Sequence, residues 1–243
     1  MQEVKPYEQD EASKKEQVSK MFNNIAPYYD GLNRFLSLGI DKLWRKRMIA
    51  EMAQERPQHI LDVATGTADV AIAMAKTLRP QRIVGLDVAV KMLDLGQKKI
   101  DQRQLSNTIQ LMVGDAENLP FEDNFFDAVS VAFGVRNFEN LDIGLAEMYR
   151  VTKQNGKVVV LEFSKPSVFP FKQLFQFYFK NILPFIGQFT SKDPKAYRYL
   201  YESVQAFPDG DAFLKRLTDA GFADTKQIPL TFGISSIYLG YKK

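Results

Sequence analysis

The sequence predicts an α/β fold built around one doubly wound, mostly parallel β-sheet. Short apolar segments alternate with helical segments of ten or so residues through the middle of the 243-residue chain, and this alternation is typical of β-α-β units. The end of the chain differs, because two strand-like segments are joined there through Gly233, and we expect the last strand to be antiparallel. The length fits one large α/β domain better than two small ones.

Each predicted strand is followed by a helix or a loop. The predicted strands are 59–63, 82–87, 108–113, 126–131, 157–163, 223–229 and 235–241. The predicted helices of the central region are 68–78, 90–100 and 141–151, with a further helix near 210–220. We predict two parts, an N-terminal helical extension and lid over residues 1–54 and a main domain over residues 55–243, with an insertion at 165–208.

The N-terminal extension has helical periodicity from residue 16 to residue 54, and Ala26-Pro27 and Gly39 predict two breaks in it. Residues 1–17 are polar and contain acids, unlike a signal or transit peptide. Because no run of 18 apolar residues occurs, we expect a cytoplasmic protein and no single helix that spans a membrane.

Composition excludes several kinds of chemistry. The chain has no cysteine, so disulfides, thiolate metal sites and cysteine nucleophiles are excluded. It has one histidine, His59, at the start of the first strand, so we expect no histidine triad and no metal site. The 32 basic and 29 acidic residues nearly balance, which argues against a nucleic-acid partner.

The loop after the first strand has the small residues and acids of a ligand-binding loop. It runs from Asp62 to Asp69, with small residues at 64, 66 and 68 that let the backbone approach a ligand closely. The second strand ends at Asp87, where a carboxylate can bind both hydroxyls of a ribose. In doubly wound folds, ligands bind beyond these carboxyl ends of the strands.

The charges of this loop distinguish two candidate cofactors. A dinucleotide-binding fingerprint needs a third glycine where Asp69 stands, and the carboxylates of Asp62 and Asp69 would repel a pyrophosphate at the start of the helix. S-adenosylmethionine has no phosphate and carries an ammonium and a sulfonium, so the two acids favour it. The alternative is that Asp69 only caps the helix and Asp62 is an ordinary acid at a strand end.

The loop after the third strand supports the same cofactor. Asp115 can accept a hydrogen bond from an adenine amino group, and the amide of Ala116 can donate to a ring nitrogen. The fourth strand ends near Ala132. The residues predicted to contact S-adenosylmethionine are Asp62, Gly66, Thr67, Asp69, Asp87, Asp115, Ala116 and Ala132.

These motifs resemble those of class I methyltransferases, and two further segments resemble the signatures of the ubiquinone/menaquinone biosynthesis C-methyltransferase family. The first segment runs from Tyr29 to Ser37, and the second from Arg150 to Ser164. The resemblance implies a Rossmann-like sheet of seven strands under a helical lid, and C-methylation of a prenylated quinol. Two departures are Asp41, where the family usually has histidine, and Ala68, which replaces a loop glycine. Asp41 rules out a catalytic histidine there.

C-methylation needs an activated ring carbon, which a neighbouring phenolate provides. Arg136 and Asn137 follow the fourth strand and match the family's segment at that point. We expect Arg136 to stabilise the phenolate and Asn137 to orient it or a proton-accepting water. Tyr29 and Asp30 are expected to close over the acceptor. The alternatives are a surface position for Arg136 and a helix-capping role for Asp30.

The acceptor itself is less defined. We favour demethylmenaquinol because no polar pattern for extra ring substituents is evident, and a benzoquinol precursor of ubiquinone is the alternative. A non-catalytic scaffold that binds the cofactor is a further alternative. A nucleic-acid methyltransferase is disfavoured because Ala132-Phe-Gly-Val replaces the Pro-Pro-aromatic motif after the fourth strand. The charge of Asp69 disfavours an oxidoreductase.

Residues 169–189 contain seven phenylalanines, and their spacing predicts a helix with apolar residues on more than one face. Phe171, Leu174, Phe175, Tyr178 and Ile182 fall on one stripe, and Phe177 and Phe179 point elsewhere. We expect this segment to cover the acceptor pocket and hold the prenyl tail. A lid with no lipid role is the alternative. The sequence leaves open both a peripheral membrane contact and a homo-oligomer.

Overall fold

A computed structural model describes residues 4–178, 181 and 194–243. Its strands form one sheet of seven, in the order β3-β2-β1-β4-β5-β7-β6. The strands are β1 His59–Val63, β2 Arg82–Asp87, β3 Ile109–Val113, β4 Phe126–Ala132, β5 Thr152–Phe163, β6 Ala223–Leu230 and β7 Ser235–Tyr241. The helices are α1 Lys14–Leu36, α2 Asp41–Met52, α3 Asp69–Leu78, α4 Val90–Gln102, α5 Leu141–Val151, α6 Phe171–Phe177, α7 Pro194–Ala206 and α8 Asp211–Asp219.

The strand directions confirm the predicted mixed sheet. β1 pairs in parallel with β2 and β4, and β4 pairs in parallel with β5. β7 is antiparallel to both of its neighbours, β5 and β6. The order reverses between β1 and β4, so the loops after these strands meet at one edge of the sheet. β5 begins at Thr152, five residues earlier than predicted, and follows α5 directly.

The predicted break at Ala26-Pro27 is wrong, because α1 continues through both residues. A proline inside a helix removes one backbone hydrogen bond, and here tertiary packing keeps the helix intact. Ala26 is buried against Ala89 and Met92 at the start of α4. The predicted break at Gly39 is confirmed, since α1 ends at Leu36, α2 begins at Asp41 and Gly39 has a φ of +78°.

Both faces of the sheet are buried, as expected for parallel strands covered by helices. Neighbouring residues of β1 lie on opposite faces of the sheet. Ile60 packs in the core beneath α2 and α3, and Leu61 packs in the core beneath α5 and α8. His59 lies at the other end of the strands from the loops. Its backbone N–H donates to Asp127.

The predicted aromatic segment is described only in part. α6 buries Phe175 and leaves Leu174 and Phe177 exposed. Phe179, Ile182 and the rest of the segment beyond residue 178, apart from Asn181, lie outside the described residues. Among the helices that the structure describes, none combines the length and apolar character needed to cross a bilayer.

Candidate active site

Two cavities lie at the carboxyl ends of the strands. The first, called here the loop cavity, lies among the loops after β1, β2, β3 and β4. Its walls include Ala64, Gly66, Leu86, Asp87, Gly114, Asp115, Ala116, Ala132 and Phe138. The second, called the apolar cavity, has a volume of about 360 Å³ and lies among α1, α2, α6 and α7.

Asp87 lies at the loop cavity with its carboxylate held by two backbone hydrogen bonds. Its two carboxylate oxygens accept hydrogen bonds from the backbone N–H groups of Gly66 at 2.8 Å and Ala89 at 2.9 Å. Burial raises the pKa of Asp87, and the N–H donors partly offset that rise. Gly66 has a φ of +56°, and open space lies where its side chain would be. Gly66 and Asp87 therefore present a bare backbone and an oriented carboxylate to the same cavity.

Asp115, Ala116 and Ala132 also line the loop cavity. The carboxylate of Asp115 lies 2.5 Å from the Nζ atom of Lys15, near the start of α1. The hydrogen bond to Asp115 raises the pKa of Lys15. Sequence reasoning missed Lys15, because nothing in residues 1–17 marks it as a neighbour of a loop one hundred residues later.

Three other predicted cofactor ligands, Asp62, Thr67 and Asp69, lie outside the lining of the loop cavity. Asp62 is buried and accepts hydrogen bonds from the hydroxyls of Thr65 and Ser130, both at 2.7 Å. Burial raises the pKa of Asp62 to about 6. The hydroxyl of Thr67 donates to Asp30 over 2.7 Å. Asp62 and Thr67 thus shape the loop through their side chains.

Asp69 requires a correction of the charge argument. Its carboxylate forms ion pairs with Lys99 at 2.5 Å and with Arg45 at 3.1 Å. Burial favours the protonated acid, but these two cations outweigh it and hold the pKa of Asp69 below its ordinary value. A carboxylate neutralised by two cations exerts little repulsion on a pyrophosphate, so Asp69 does not discriminate between cofactors in the way predicted.

Asp30 lies outside the lining of both cavities, contrary to the prediction that it closes over the acceptor. One carboxylate oxygen accepts from Thr67, and the other lies 2.8 Å from the Nζ atom of Lys99. Asp30 therefore fastens α1 to the loop after β1 and to α4. Lys99, which joins Asp30 to Asp69, was not predicted, since it is one of several lysines on an amphipathic helix.

Aromatic side chains form much of the wall of the apolar cavity. The rings of Phe133 and Phe163 are 4.9 Å apart, and Trp44 lies 6.2 Å from each of them. The indole N–H of Trp44 donates to Thr231 over 2.7 Å. Trp44 therefore packs in the core and also forms part of the cavity wall.

Arg136 lies in this wall with its charge balanced by Glu162. Its Nη1 atom donates to Glu162 Oε1 at 2.7 Å and to the backbone carbonyl of Phe133 at 2.6 Å. The guanidinium also lies 5.5 Å from the centre of the Phe163 ring. Burial raises the pKa of Glu162, although Arg136 opposes the rise. The guanidinium of Arg136 is thus fixed in the cavity wall by Glu162 and Phe133. The alternative that Arg136 lies at the surface is wrong.

The two cavities share part of their walls. Phe22, Tyr29, Phe133 and Asn137 line both of them. Burial raises the pKa of Tyr29, and a hydrogen bond with Asn33 opposes this rise. Tyr29, Arg136 and Asn137 are therefore brought together as predicted, whereas Asp30 is not. A group held in one cavity would meet a group held in the other beside Tyr29 and Asn137.

The loop cavity fits S-adenosylmethionine. Asp87 can accept from two vicinal hydroxyls, while Leu86, Ala116 and Phe138 provide apolar walls for a purine. Lys15 is the single cationic side chain among the described residues that line this cavity, and its charge is matched by Asp115. Together with the sheet order, this arrangement defines a methyltransferase that uses S-adenosylmethionine.

Residues 10–242 match the ubiE/COQ5 methyltransferase family, and the chain belongs to that family. It is 46% identical over 241 residues to the demethylmenaquinone methyltransferase of Bacteroides fragilis, covering 99% of this chain and 98% of that one. It is 44% identical to the protein of the same name from Deinococcus radiodurans, covering 99% of each. The ubiquinone/menaquinone biosynthesis C-methyltransferase UbiE of Citrifermentans bemidjiense is 44% identical over 95% of this chain and 98% of its own length.

Solved structures agree on the fold. A putative S-adenosyl-L-methionine-dependent methyltransferase from Methanococcus maripaludis superposes with a TM-score of 0.59 at 19% identity, covering 98% of this chain and 97% of that one. A SAM-dependent methyltransferase from Aquifex aeolicus gives a TM-score of 0.57 at 16% identity over 80% and 89% of the two chains.

Proposed function

We propose that this enzyme transfers a methyl group to a ring carbon of demethylmenaquinol, yielding menaquinol. The observation that carries the proposal is the shared wall of the two cavities at Tyr29 and Asn137. The loop cavity suits the cofactor, and the apolar cavity suits a fused aromatic ring with a prenyl chain. The names of the relatives from B. fragilis and D. radiodurans point to the same acceptor.

We assign the site residues as follows. Gly66, Asp87, Asp115, Ala116 and Ala132 contact the cofactor, and Asp62, Thr67 and Asp69 shape and brace its loop. Arg136 and Asn137 act on the quinol oxygen, and Tyr29 forms the wall where the reacting groups meet. Residues 1–54 act as the lid. This assignment is supported by α1, because its residues Phe22 and Tyr29 line both cavities.

When bound, S-adenosylmethionine supplies an electrophilic methyl group on a sulfonium. The quinol hydroxyl would give its proton to a water that Asn137 can orient, and Arg136 would stabilise the resulting phenolate. Tyr29 and Asn137, which line both cavities, would hold the ring carbon beside this oxygen against that methyl group, which the cofactor would give up while its sulfonium becomes a neutral thioether. The ring carbon finally gives up its hydrogen as a proton and the oxygen takes a proton back, so the aromatic quinol is restored and one proton is released overall. A weakly polar site favours the methyl transfer, because two opposite charges disappear in it.

The test is an assay with purified protein, S-adenosylmethionine and chemically reduced demethylmenaquinone. Mass spectrometry should find a quinone heavier by one methylene and an equal amount of S-adenosylhomocysteine. No methylated quinone at any enzyme concentration would contradict the proposal. Replacing the reduced quinol by the oxidised quinone is the control, since the quinone has no hydroxyl to ionise and should give no product.

A second candidate acceptor is a benzoquinol precursor of ubiquinone. It is favoured by the relative from C. bemidjiense, whose name includes both pathways. Both acceptors, with prenyl chains of equal length, should be offered in one vessel and compared by kcat/KM. The quinone pool of a strain that lacks the gene would show which precursor accumulates.

We further propose that the apolar cavity opens toward a membrane surface from which the quinol enters. Leu38, which lines the cavity, is 84% exposed, and Phe169, two residues before the start of α6, is 77% exposed. Leu174 also lines the cavity. Three exposed lysines, Lys42, Lys46 and Lys172, occur on α2 and α6, which suits an anionic bilayer.

Vesicle binding tests this proposal. Leu38→Ser/Phe169→Ser should bind anionic phospholipid vesicles more weakly than wild type and lose kcat/KM on the long-tailed quinol. On a tail-less quinol its kcat/KM should be nearly unchanged. The matched control is Phe125→Ser/Ile143→Ser, which changes two exposed apolar residues that line neither cavity. Phe177→Ser changes a further exposed apolar residue, on α6, and can be compared with the double variant in the same assays. Equal losses on long-tailed and tail-less quinols would contradict the proposal.

A further inference from the structure

Tyr199 presents a buried hydroxyl that has no partner. It lies on α7, its side chain lines the apolar cavity, and it is only 2% exposed. Its ring packs in a cluster with Val18 and Met21 of α1. Within the described part of the chain, its hydroxyl makes no hydrogen bond. Buried hydroxyls of folded proteins nearly always have a partner, so this one requires an explanation.

Tyr238 shows how a structural tyrosine behaves in the same molecule. Its side chain is fully buried, and its hydroxyl accepts a hydrogen bond from the backbone N–H of Gly210 at 2.9 Å. A tyrosine needed only to fill the wall beside α1 would cost less as phenylalanine, because a buried hydroxyl without a partner is destabilising. The hydroxyl of Tyr199 therefore serves something other than packing.

The other unpartnered polar atoms lie at the same place. Buried side-chain atoms without a hydrogen-bond partner, among the residues described, are Arg45 Nε, Arg136 Nε, Asn137 Oδ1 and the Tyr199 hydroxyl. All four of these side chains line the apolar cavity. Unsatisfied polar atoms confined to one cavity indicate a ligand that carries polar groups of its own. A purely hydrocarbon occupant, such as a prenyl chain, would leave all four unsatisfied.

The electrostatic surroundings of Tyr199 define its role. Burial raises the pKa of its hydroxyl, Arg136 lowers it, and Glu162 raises it again, with a net rise above the ordinary value. The phenol therefore keeps its proton near neutral pH and can donate it in a hydrogen bond. It is unsuited to act as the base that removes the quinol proton.

We propose that Tyr199 contacts the acceptor ring, donating a hydrogen bond from its hydroxyl to one of the two quinol oxygens. This inference rests on the proposed function. It assigns a polar contact to a helix that otherwise provides the apolar side of the cavity. Arg136 Nε can donate a hydrogen bond to a quinol oxygen, and Asn137 Oδ1 can accept one from a quinol hydroxyl. Such a contact positions the ring and rejects rings that lack the oxygen.

The experiment compares Tyr199→Phe with Tyr238→Phe. Tyr199→Phe should lower kcat/KM for the quinol about tenfold, as expected for one hydrogen bond to a ligand, and should leave the melting temperature of the ligand-free protein unchanged or higher. Tyr238→Phe should lower the melting temperature and leave kcat/KM of the folded enzyme near wild type. A normal kcat/KM for Tyr199→Phe, or a fall in its melting temperature like that of Tyr238→Phe, would overturn the inference.

Binding of analogues provides a readout that does not depend on turnover. Two ring analogues, each lacking a different one of the two oxygens, should be measured by calorimetry against wild type and Tyr199→Phe. For one analogue, the variant should bind as tightly as wild type, because the hydrogen bond is absent in both. If Tyr199→Phe lowers the binding affinity for both analogues equally, Tyr199 acts through packing and the inference is wrong. Wild-type turnover of the quinol tests the proposed function separately.

Discussion

Arg136 and Glu162 form an ion pair whose carboxylate has no access to solvent. The Nη1 atom lies 2.7 Å from Oε1, and the Glu162 side chain is 0% exposed. Because one terminal nitrogen is held in this way and donates to Phe133 as well, the guanidinium has a fixed orientation at the cavity. Removing Arg136 would leave Glu162 buried without a counter-charge, at a cost of about 3–5 kcal/mol.

Arg136→Lys should therefore be more informative than Arg136→Ala. Lysine keeps a positive charge for Glu162 but lacks the fork of donors that can reach both Glu162 and a quinol oxygen. We expect kcat to fall roughly tenfold or more, with the affinity for S-adenosylmethionine nearly unchanged. Glu162→Gln, which keeps an acceptor for Arg136, should lose less. A normal kcat for Arg136→Lys would exclude a role for this arginine at the developing phenolate.

Asp87→Ala should weaken binding of S-adenosylmethionine by about 2 kcal/mol or more, because a charged acceptor for the ribose hydroxyls is lost. Isothermal titration calorimetry measures this. Asp127→Ala is the matched control, since Asp127 also accepts two backbone N–H groups, from Gln58 and His59, but at the opposite end of the strands. Cofactor affinity equal in the two variants would contradict the assignment of Asp87.

Ala68 has a backbone conformation that glycine adopts more readily than alanine. It precedes α3 with a φ of +62°, in the left-handed region where a side chain is strained. Ala68→Gly should therefore be less destabilising than Ala71→Gly, in the middle of α3, by about 1–2 kcal/mol. Both alanines are fully buried, so the loss of methyl packing is similar. Denaturant unfolding measures the difference, and equal losses would show that Ala68 is not strained.

Asp30→Asn tests whether Asp30 is an anchor or a catalytic group. Asparagine can still accept from Thr67 but loses the charge that pairs with Lys99. We expect kcat at saturating substrates to stay within a few-fold of wild type, while amide hydrogen exchange in α1 becomes faster. Lys99→Met should have the same effect on α1. A large fall in kcat with unchanged exchange would restore the catalytic role.

Asp62 should make folding stability depend on pH in an unusual direction. Burial raises its pKa from the ordinary value of 3.8 to about 6 in the folded protein. The folded state therefore binds this proton more tightly, so the contribution of Asp62 to stability is present below pH 4 and is lost as the pH rises through about 6. Relative to wild type, Asp62→Asn should gain up to about 3 kcal/mol between pH 4 and pH 7. Urea unfolding across this range measures the gain, and parallel pH profiles for the two proteins would contradict it.

The sheet was predictable because its signals are local. Each strand of the central region is a short apolar run, and the loops after β1, β2 and β3 have their acids at recognisable positions. The failure at Pro27 has a different origin. The cost of a proline within a helix is local, but the packing of Ala26 against α4 that outweighs it is tertiary and cannot be read from α1 alone.

The site was predictable only where a residue acts through its position on a loop. Asp87, Asp115 and Arg136 lie at cavity walls because strand ends place them there. Asp69 and Asp30 were misjudged because their partner, Lys99, comes from a different helix. Tyr199 was missed for a similar reason, since it is one of many aromatic residues in the insertion and only its surroundings distinguish it.

α1 forms a wall of both cavities through Phe22 and Tyr29, and it is fastened at two places, by Lys15 to Asp115 and by Asp30 to Lys99. A helix fixed in this way cannot swing away from the cofactor without also uncovering the acceptor. Any displacement of α1 would therefore open the two cavities together.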